Sequence, residues 1–397
     1  MPASSIALAE SYIKKYYMPP ILKQLDEKPG PVWAALQKTV ESVPGNEFFI
    51  TLEYGRHGGL GARPETGDVP AASERLHKQG KTSVKNIYGR IAMTEKLLIA
   101  SKDNRMAFAS ELTRQMENIT TDATDYVARN FMTSHDGVFG YVQSVAAGTP
   151  TVITLNPDNS IINAFYPGQV IDTITGTTVT DSARMVVDVD YVTGKVSVNG
   201  TITAAAGAKI AISDAYSYEM TGLQDILTAN NILYGIDRAQ NKWFNPNVQD
   251  KASGGTPTPL DGMWLETAAD EIAIRSGEKP TFYVCSHGVE RAYKSWNLQF
   301  GRNNDMQTLK GGYKLVSHNG IPLSPEKYFP RNQMAMISMP WMRLGMLRDW
   351  GWMSETGSMF TKVPNKAEYE ATLTLYGDLL CKFPSSNSLI KGIEEVA

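Results

Sequence analysis

Phe108, Leu112, Met116, Ile119, Ala123, Val127 and Phe131 follow one another at intervals of four, four, three, four, four and four residues. That spacing places them on one face of a 3.6-residue helix. It predicts a helix over Asn104 to Thr133, opened by Ser101 or Asp103 as N-cap. At 1.5 Å per residue the helix spans about 45 Å. A rod this long with a single apolar stripe is a spine that packs one side on a sheet.

The segments around the spine read as strands. Glu47 to Leu52, EFFITL, has strand character, and Thr82 to Ala100, TSVKNIYGRIAMTEKLLIA, returns with β-branched and aromatic residues. Between them, EYGRHGGLGARPETGDVP from Glu53 to Pro70 holds five glycines and two prolines with no apolar run. These stretches predict a two-stranded excursion with a flexible tip. Upstream, residues 1–45 are short amphipathic pieces broken by Pro19-Pro20, Pro29-Gly30-Pro31 and Pro44-Gly45, which block long helices and predict an extended arm.

From Gly137 to about Ser213 the period changes. Val152, Ile153 and Leu155, then Val170-Ile171, then MVVDVDY and KVSVNGTI are separated by the turn sequences NPDNS, TGTT and TGK. Short strands at near-regular spacing predict a compact all-β unit inserted into its host. After SYEMTGLQDILTANNILYGIDRA and the linker-like Asp250 to Gly262, a helix from about Met263 to Arg275, the strand TFYVC and a helix from about His287 to Leu298 predict an α+β domain. RLGMLRDWGWM and EATLTLYG are strand-like, and Trp341, Trp350 and Trp352 with Met339, Met342, Met346 and Met353 form an apolar cluster expected in the core.

The totals limit the function. A chain of 397 residues, 42% hydrophobic, holds two or three cores. A net charge of −3 gives no field for specific DNA binding, because phosphate neutralisation needs clustered Lys and Arg. Cys285 and Cys381 form no disulfide framework of the kind small secreted domains use. The first residues lack the apolar core of a signal peptide, and no stretch reaches the length of a membrane span, so a cytoplasmic product is expected.

Candidate chemistry fails on spacing. From Gly59 and Gly61 the dinucleotide pattern would need a glycine where Pro64 stands, and the P-loop ending imitated by QGKT would need one at Arg75. VCSHG, Val284 to Gly288, sets a cysteine, a serine and a histidine side by side, but a nucleophile elbow requires glycine where Val284 is found. Ser286 suits an N-cap, with Glu290 in the first turn of the following helix. His57, His77, His135, His287 and His318 show no ligand spacing. DVDYVTG fails as a calcium loop because Val192 replaces an oxygen ligand, so Asp188 and Asp190 are expected on the wet face of a strand.

The order of parts resembles the major capsid protein of tailed bacteriophages, the HK97-type fold. The carriers are EYGRHGGLGARPETGDVP with its flanking strands, similar to that family's E-loop, and SKDNRMAFASELTRQMENITTDATDYVARNF, similar to its spine helix. TGLQDILTANNILYGIDRAQNKWFNP, PTFYVCSHGVERAYKSW and GGYKLVSHNGIPLSPEKYFP resemble further segments. The resemblance implies an arm at 1–45, an E-loop at 46–100, the spine helix of a P-domain at 101–136 and an inserted β domain at 137–213. It further implies a return through 214–259, an A-domain at 260–340 and C-terminal P-domain strands at 341–397.

Such a resemblance implies a structural protein without catalytic residues, cofactor or metal. It would self-assemble into hexamers and pentamers of an icosahedral virion head around genomic DNA. Scaffolding, portal and decoration proteins are the implied partners, DNA contact is non-specific, and no membrane is involved. Glycine-rich sequence cannot offset its own ordering entropy, so the loop should be held by a neighbouring copy, with Arg56, His57, Arg63, Glu65 and Asp68 as contact residues. The short arm leaves scaffolding to a separate protein or a removed segment. Some relatives cross-link subunits through a lysine and an asparagine, and Lys78, Lys81, Lys85 and Asn365 are of those types. An encapsulin shell enclosing an enzyme cargo is the alternative of the same fold, and a hydrolase using Cys285 or His287 is the alternative of another class.

Overall fold

A computed structural model describes residues 24–25, 28–41, 44–94, 105–299, 305–309, 313–353 and 360–396. The helices are α1 (Pro31–Ala35), α2 (Arg105–Met132), α3 (Leu223–Leu227), α4 (Gly262–Ser276) and α5 (His287–Gln299). The proposed N-caps of α2, Ser101 and Asp103, lie outside the described residues.

The spine helix α2 forms where the stripe predicts it. Met116, Val127 and Phe131 are buried, and Ile119 and Ala123 pack against the same core. The helix lies against the strand Lys85–Thr94, and at Gly89 the approach is close enough that an added Cβ would meet Ile119 Cδ1 at 3.1 Å. That strand is one member of a five-stranded sheet with Gln37–Val40, Met342–Trp352, Glu368–Cys381 and Thr361–Lys362. Glu368–Cys381 is its centre, since it pairs antiparallel with Lys85–Thr94, Met342–Trp352 and Thr361–Lys362. The Trp and Met cluster sits here, with Met342, Met346, Trp350 and Trp352 buried.

The pairing of the excursion differs from the expected one. Glu47–Glu53 pairs antiparallel with His77–Ser83, while Lys85–Thr94, expected to be its partner, joins the five-stranded sheet. HKQGKTS carries no apolar alternation because Gly80 is its only fully buried residue, so its strand character cannot be read from hydrophobic pattern. Gly80 is required by proximity: its Cβ would lie 3.1 Å from Tyr234 Cβ, and the next amide, Lys81 N, donates to Tyr234 O at 3.0 Å.

Six strands between Val138 and Ile212 close into a barrel. Thr178–Asp190 closes it by pairing with Val170–Thr175 on one side and Lys195–Val198 on the other, bending through bulges. Ile153, Ile171, Ile174, Val186, Val196, Val198 and Ile210 fill the interior. Asp188 and Asp190 are exposed on this long strand as expected, although Val187 is exposed as well.

A seven-stranded sheet carries Phe282–Cys285 at its centre, with α4 and α5 packed beside it. Asp261 caps α4 by accepting from Met263 N at 3.0 Å, and Gly277 ends it in the left-handed region at φ 72°. Ser286 caps α5 by accepting from Val289 N at 3.3 Å.

Residues 28–41 are fastened to this frame by α1. Trp33 is buried, meets Phe131 of α2 edge-on at 5.4 Å, and donates from Nε1 to Leu25 O at 3.2 Å. Beside α1 lies Glu326, buried, with one carboxylate oxygen accepting from Ser324 Oγ at 2.9 Å and a further bond from the Val32 amide. Burial pushes its carboxyl up to about 7, against the two hydrogen bonds. In the unfolded chain the ordinary glutamate value applies, so between about pH 4.5 and 7 the folded state keeps a proton that the unfolded state releases. Stability therefore falls as pH rises through that window, by up to ~3 kcal/mol for this group. Glu326→Gln is expected to flatten that part of the pH dependence in denaturant unfolding between pH 5 and 8. An unchanged slope in the variant removes Glu326 from this role.

Candidate functional site

The glycine-rich excursion leaves the frame as an irregular loop from Tyr54 to Leu76 with an ordered root. At the root, Tyr54 stacks on Trp243 with ring centroids 4.5 Å apart. Lys78 Nζ donates to Asn241 Oδ1 at 3.2 Å, Lys81 Nζ pairs with Glu47 Oε1 at 3.4 Å, and Lys85 Nζ donates to Ser217 O at 3.4 Å. The three lysines that resemble cross-linking residues thus each have an acceptor within their own chain. Asn365 lies in a turn at φ 62°.

Beneath the root is Asp378, with no exposed surface. It accepts from Thr82 Oγ1 at 2.6 Å, Thr221 N at 2.7 Å, Thr221 Oγ1 at 3.1 Å and Leu379 N at 3.0 Å. Burial pushes this carboxyl up to about 6, in opposition to the bonds from Thr82 and Thr221. One side chain thereby ties the returning strand of the excursion to the five-stranded sheet. Sequence reasoning does not find Asp378, Trp243 or Tyr234, because they stand 150 or more positions away from the strand they hold and carry no local motif.

Beyond the root, Arg56, His57, Arg63, Glu65 and Asp68 are all exposed. Among the described residues their one side-chain hydrogen bond is local, as His57 Nδ1 accepts from Gly59 N at 3.1 Å. Among the described residues Arg56, Arg63, Glu65 and Asp68 make no salt bridge or side-chain hydrogen bond. Leu60 and Val69 are each 85% exposed on the same loop. The structure thus gathers the five sequence-derived residues on one projecting segment without joining them into a chemical centre.

The other candidates are structural. Cys285 is wholly buried in the core beside α4 and α5, and burial raises its thiol far above the ordinary range, which disfavours the nucleophilic thiolate. Ser286 is occupied as a helix cap and donates to Glu395, while His287 faces solvent. Among the described residues no group of three or more His, Cys, Asp or Glu side chains could hold a metal ion, and no helix is long and apolar enough to cross a membrane.

No protein-family model and no curated protein matches the chain. Solved structures do. The chain is similar to the cyanophage A-1(L) capsid asymmetric unit, with a TM-score of 0.58 and 11% identity over 91% of this chain and 92% of that one. It is also similar to the capsid of an empty GTA particle, with a TM-score of 0.50 and 11% identity over 92% of this chain and 90% of that one. At this identity the likeness is one of fold. The chain has the mixed helix and sheet fold of these capsid subunits.

Proposed function

We propose that this chain is the major capsid subunit of a tailed bacteriophage, a structural protein with no catalytic role. Copies assemble in the host cytoplasm as hexamers and pentamers and close an icosahedral head around genomic DNA, aided by scaffolding and portal proteins. The observation that carries this reading is a fold likeness to a capsid subunit that runs over nine-tenths of both chains. In this reading residues 1–45 are the arm, 46–100 the E-loop and 101–136 the spine helix. The barrel of 137–213 is the insertion, 214–259 the return, 260–340 the A-domain and 341–397 the closing strands of the P-domain.

The loop supports the same reading. An exposed excursion with unpaired charges and two solvated aliphatic side chains gains from a second surface, at roughly 25 cal/mol per Å² of apolar area covered. Ion pairs from Arg56, Arg63, Glu65 and Asp68 to a neighbouring copy would each contribute about 1 kcal/mol or less while exposed, enough across a closed lattice to select register.

Electron microscopy of the expressed protein, with and without a scaffold encoded nearby, tests the proposal. Closed shells are expected, and native shells should contain DNA. Shells filled with a protein cargo would assign an encapsulin instead. Discrete monomers whose hydrolytic turnover disappears in Cys285→Ala would overturn the structural reading.

A further inference from the structure

A cleft of about 520 Å³ opens where α2, the strand Lys85–Thr94, the barrel and the Lys327-Tyr328 turn meet. Its size is that of a small-molecule site. The walls are aromatic, with Tyr88, Tyr126, Tyr166, Tyr191, Tyr328 and Trp350 among the lining residues. The shell reading uses none of these groups.

The polar groups of the cleft differ in how they are satisfied. Arg129 is buried and held by Glu219, with its guanidinium 5.0 Å from the Tyr126 ring centroid and 5.2 Å from that of Phe139. Its Nη1 and Glu219 Oε2 have no hydrogen-bond partner among the described residues, but the two charges offset each other. Lys327 Nζ lies 4.6 Å from the Tyr328 ring centroid and 3.5 Å from Asp125 Oδ2, so one ammonium is already held between a tyrosine and a carboxylate. One acceptor remains for a ligand. Asp122 lines the cleft and makes no hydrogen bond or salt bridge among the described residues. Gln169 is 3% exposed; its Nε2 donates to Ala164 O at 3.3 Å, and its Oε1 is buried behind the wall and closed to a ligand.

With Arg129 offset by the buried Glu219 behind it and Lys327 by Asp125, the Asp122 carboxylate leaves one negative charge over, at a place with tyrosine faces. That combination suits a cation, since N–H donors satisfy the carboxylate and ring faces attract positive charge. We propose that the cleft binds an organic cation, an ammonium or guanidinium group on a flexible alkyl stem, with the Asp122 carboxylate as its acceptor. The cation is either a free polyamine or the end of a lysine or arginine side chain from another polypeptide.

Titration calorimetry on the full chain, with spermidine and separately with N-acetyl-arginine amide, decides between the sources. Saturable binding of spermidine alone marks a free polyamine; binding of the arginine amide marks a side-chain socket. In either case Asp122→Asn should weaken the affinity by about tenfold, the loss of roughly one ion pair. Asp270→Asn, which removes the same charge from an exposed position on α4 outside the cleft, should leave it unchanged. Equal weakening by both variants shows a general charge effect and overturns the site. So does the absence of saturable heat with both probes, or full affinity in a folded Asp122→Asn protein.

Discussion

Deleting Gly58–Ala72 is expected to leave a folded subunit that closes no shell. The cut is mild for the subunit because the ends already meet: Gly58 N lies 3.2 Å from Ser73 Oγ, so His57 can be joined to Ser73 with little movement. The removed residues contribute no buried side chain, and every fastening of the excursion survives, from Tyr54 on Trp243 to Thr82 on Asp378. Unfolding free energy should therefore change by less than about 1 kcal/mol. Assembly loses far more. Leu60 and Val69 would each contribute roughly 1.5–3 kcal/mol if covered by a neighbour. Together they exceed about 3 kcal/mol for every contact, on the order of a hundredfold in its equilibrium constant. Circular dichroism should match the intact chain while electron microscopy shows no closed particles. Normal particles from the deletion would refute the assembly role of the loop.

Trp33→Ala should give the largest loss in the subunit itself. Trp33 is the bulkiest buried residue of the 28–41 segment and joins it to α2 through Phe131. Truncating a buried tryptophan costs about 3–5 kcal/mol, partly from lost transfer and partly from the cavity left behind. The Leu25 carbonyl also loses its donor. With the wedge gone, the 28–41 segment has the five-residue helix α1 and a four-residue edge strand to hold it, and a helix that short is not stable alone. Denaturant unfolding should show the loss, and limited proteolysis should cut within 28–41 in the variant but not in the intact chain. A change below about 1 kcal/mol with no new cleavage would mean that residues 28–41 are held by something other than Trp33.

Periodic segments were legible from residues alone. The stripe from Met116 to Phe131 has the spacing of a helix face, and α2 runs over it. The turns NPDNS, TGTT and TGK separate strands that exist. Asp261 and Gly277 bound α4, as cap chemistry requires. Legibility ended where pairing partners are distant. HKQGKTS looks like a loop because both its faces are largely wet, yet it is a strand. Lys85–Thr94 looks like the partner of EFFITL, yet it pairs with Glu368–Cys381, nearly three hundred residues on.

The candidate site divides in the same way. That Glu53 to Pro70 cannot bury itself follows from composition, since glycine, proline and charge offer too little apolar surface to offset ordering entropy. That its root is clamped by Asp378, Trp243 and Tyr234, and that seven aromatic residues from distant segments enclose a cleft beside Asp122, follows only from the folded chain. Local periods, caps and turns are set by neighbours within a few residues, and so are written in the sequence. Which strands pair, and which polar groups are left with spare acceptors, depends on contacts between residues that become neighbours only after the chain has collapsed.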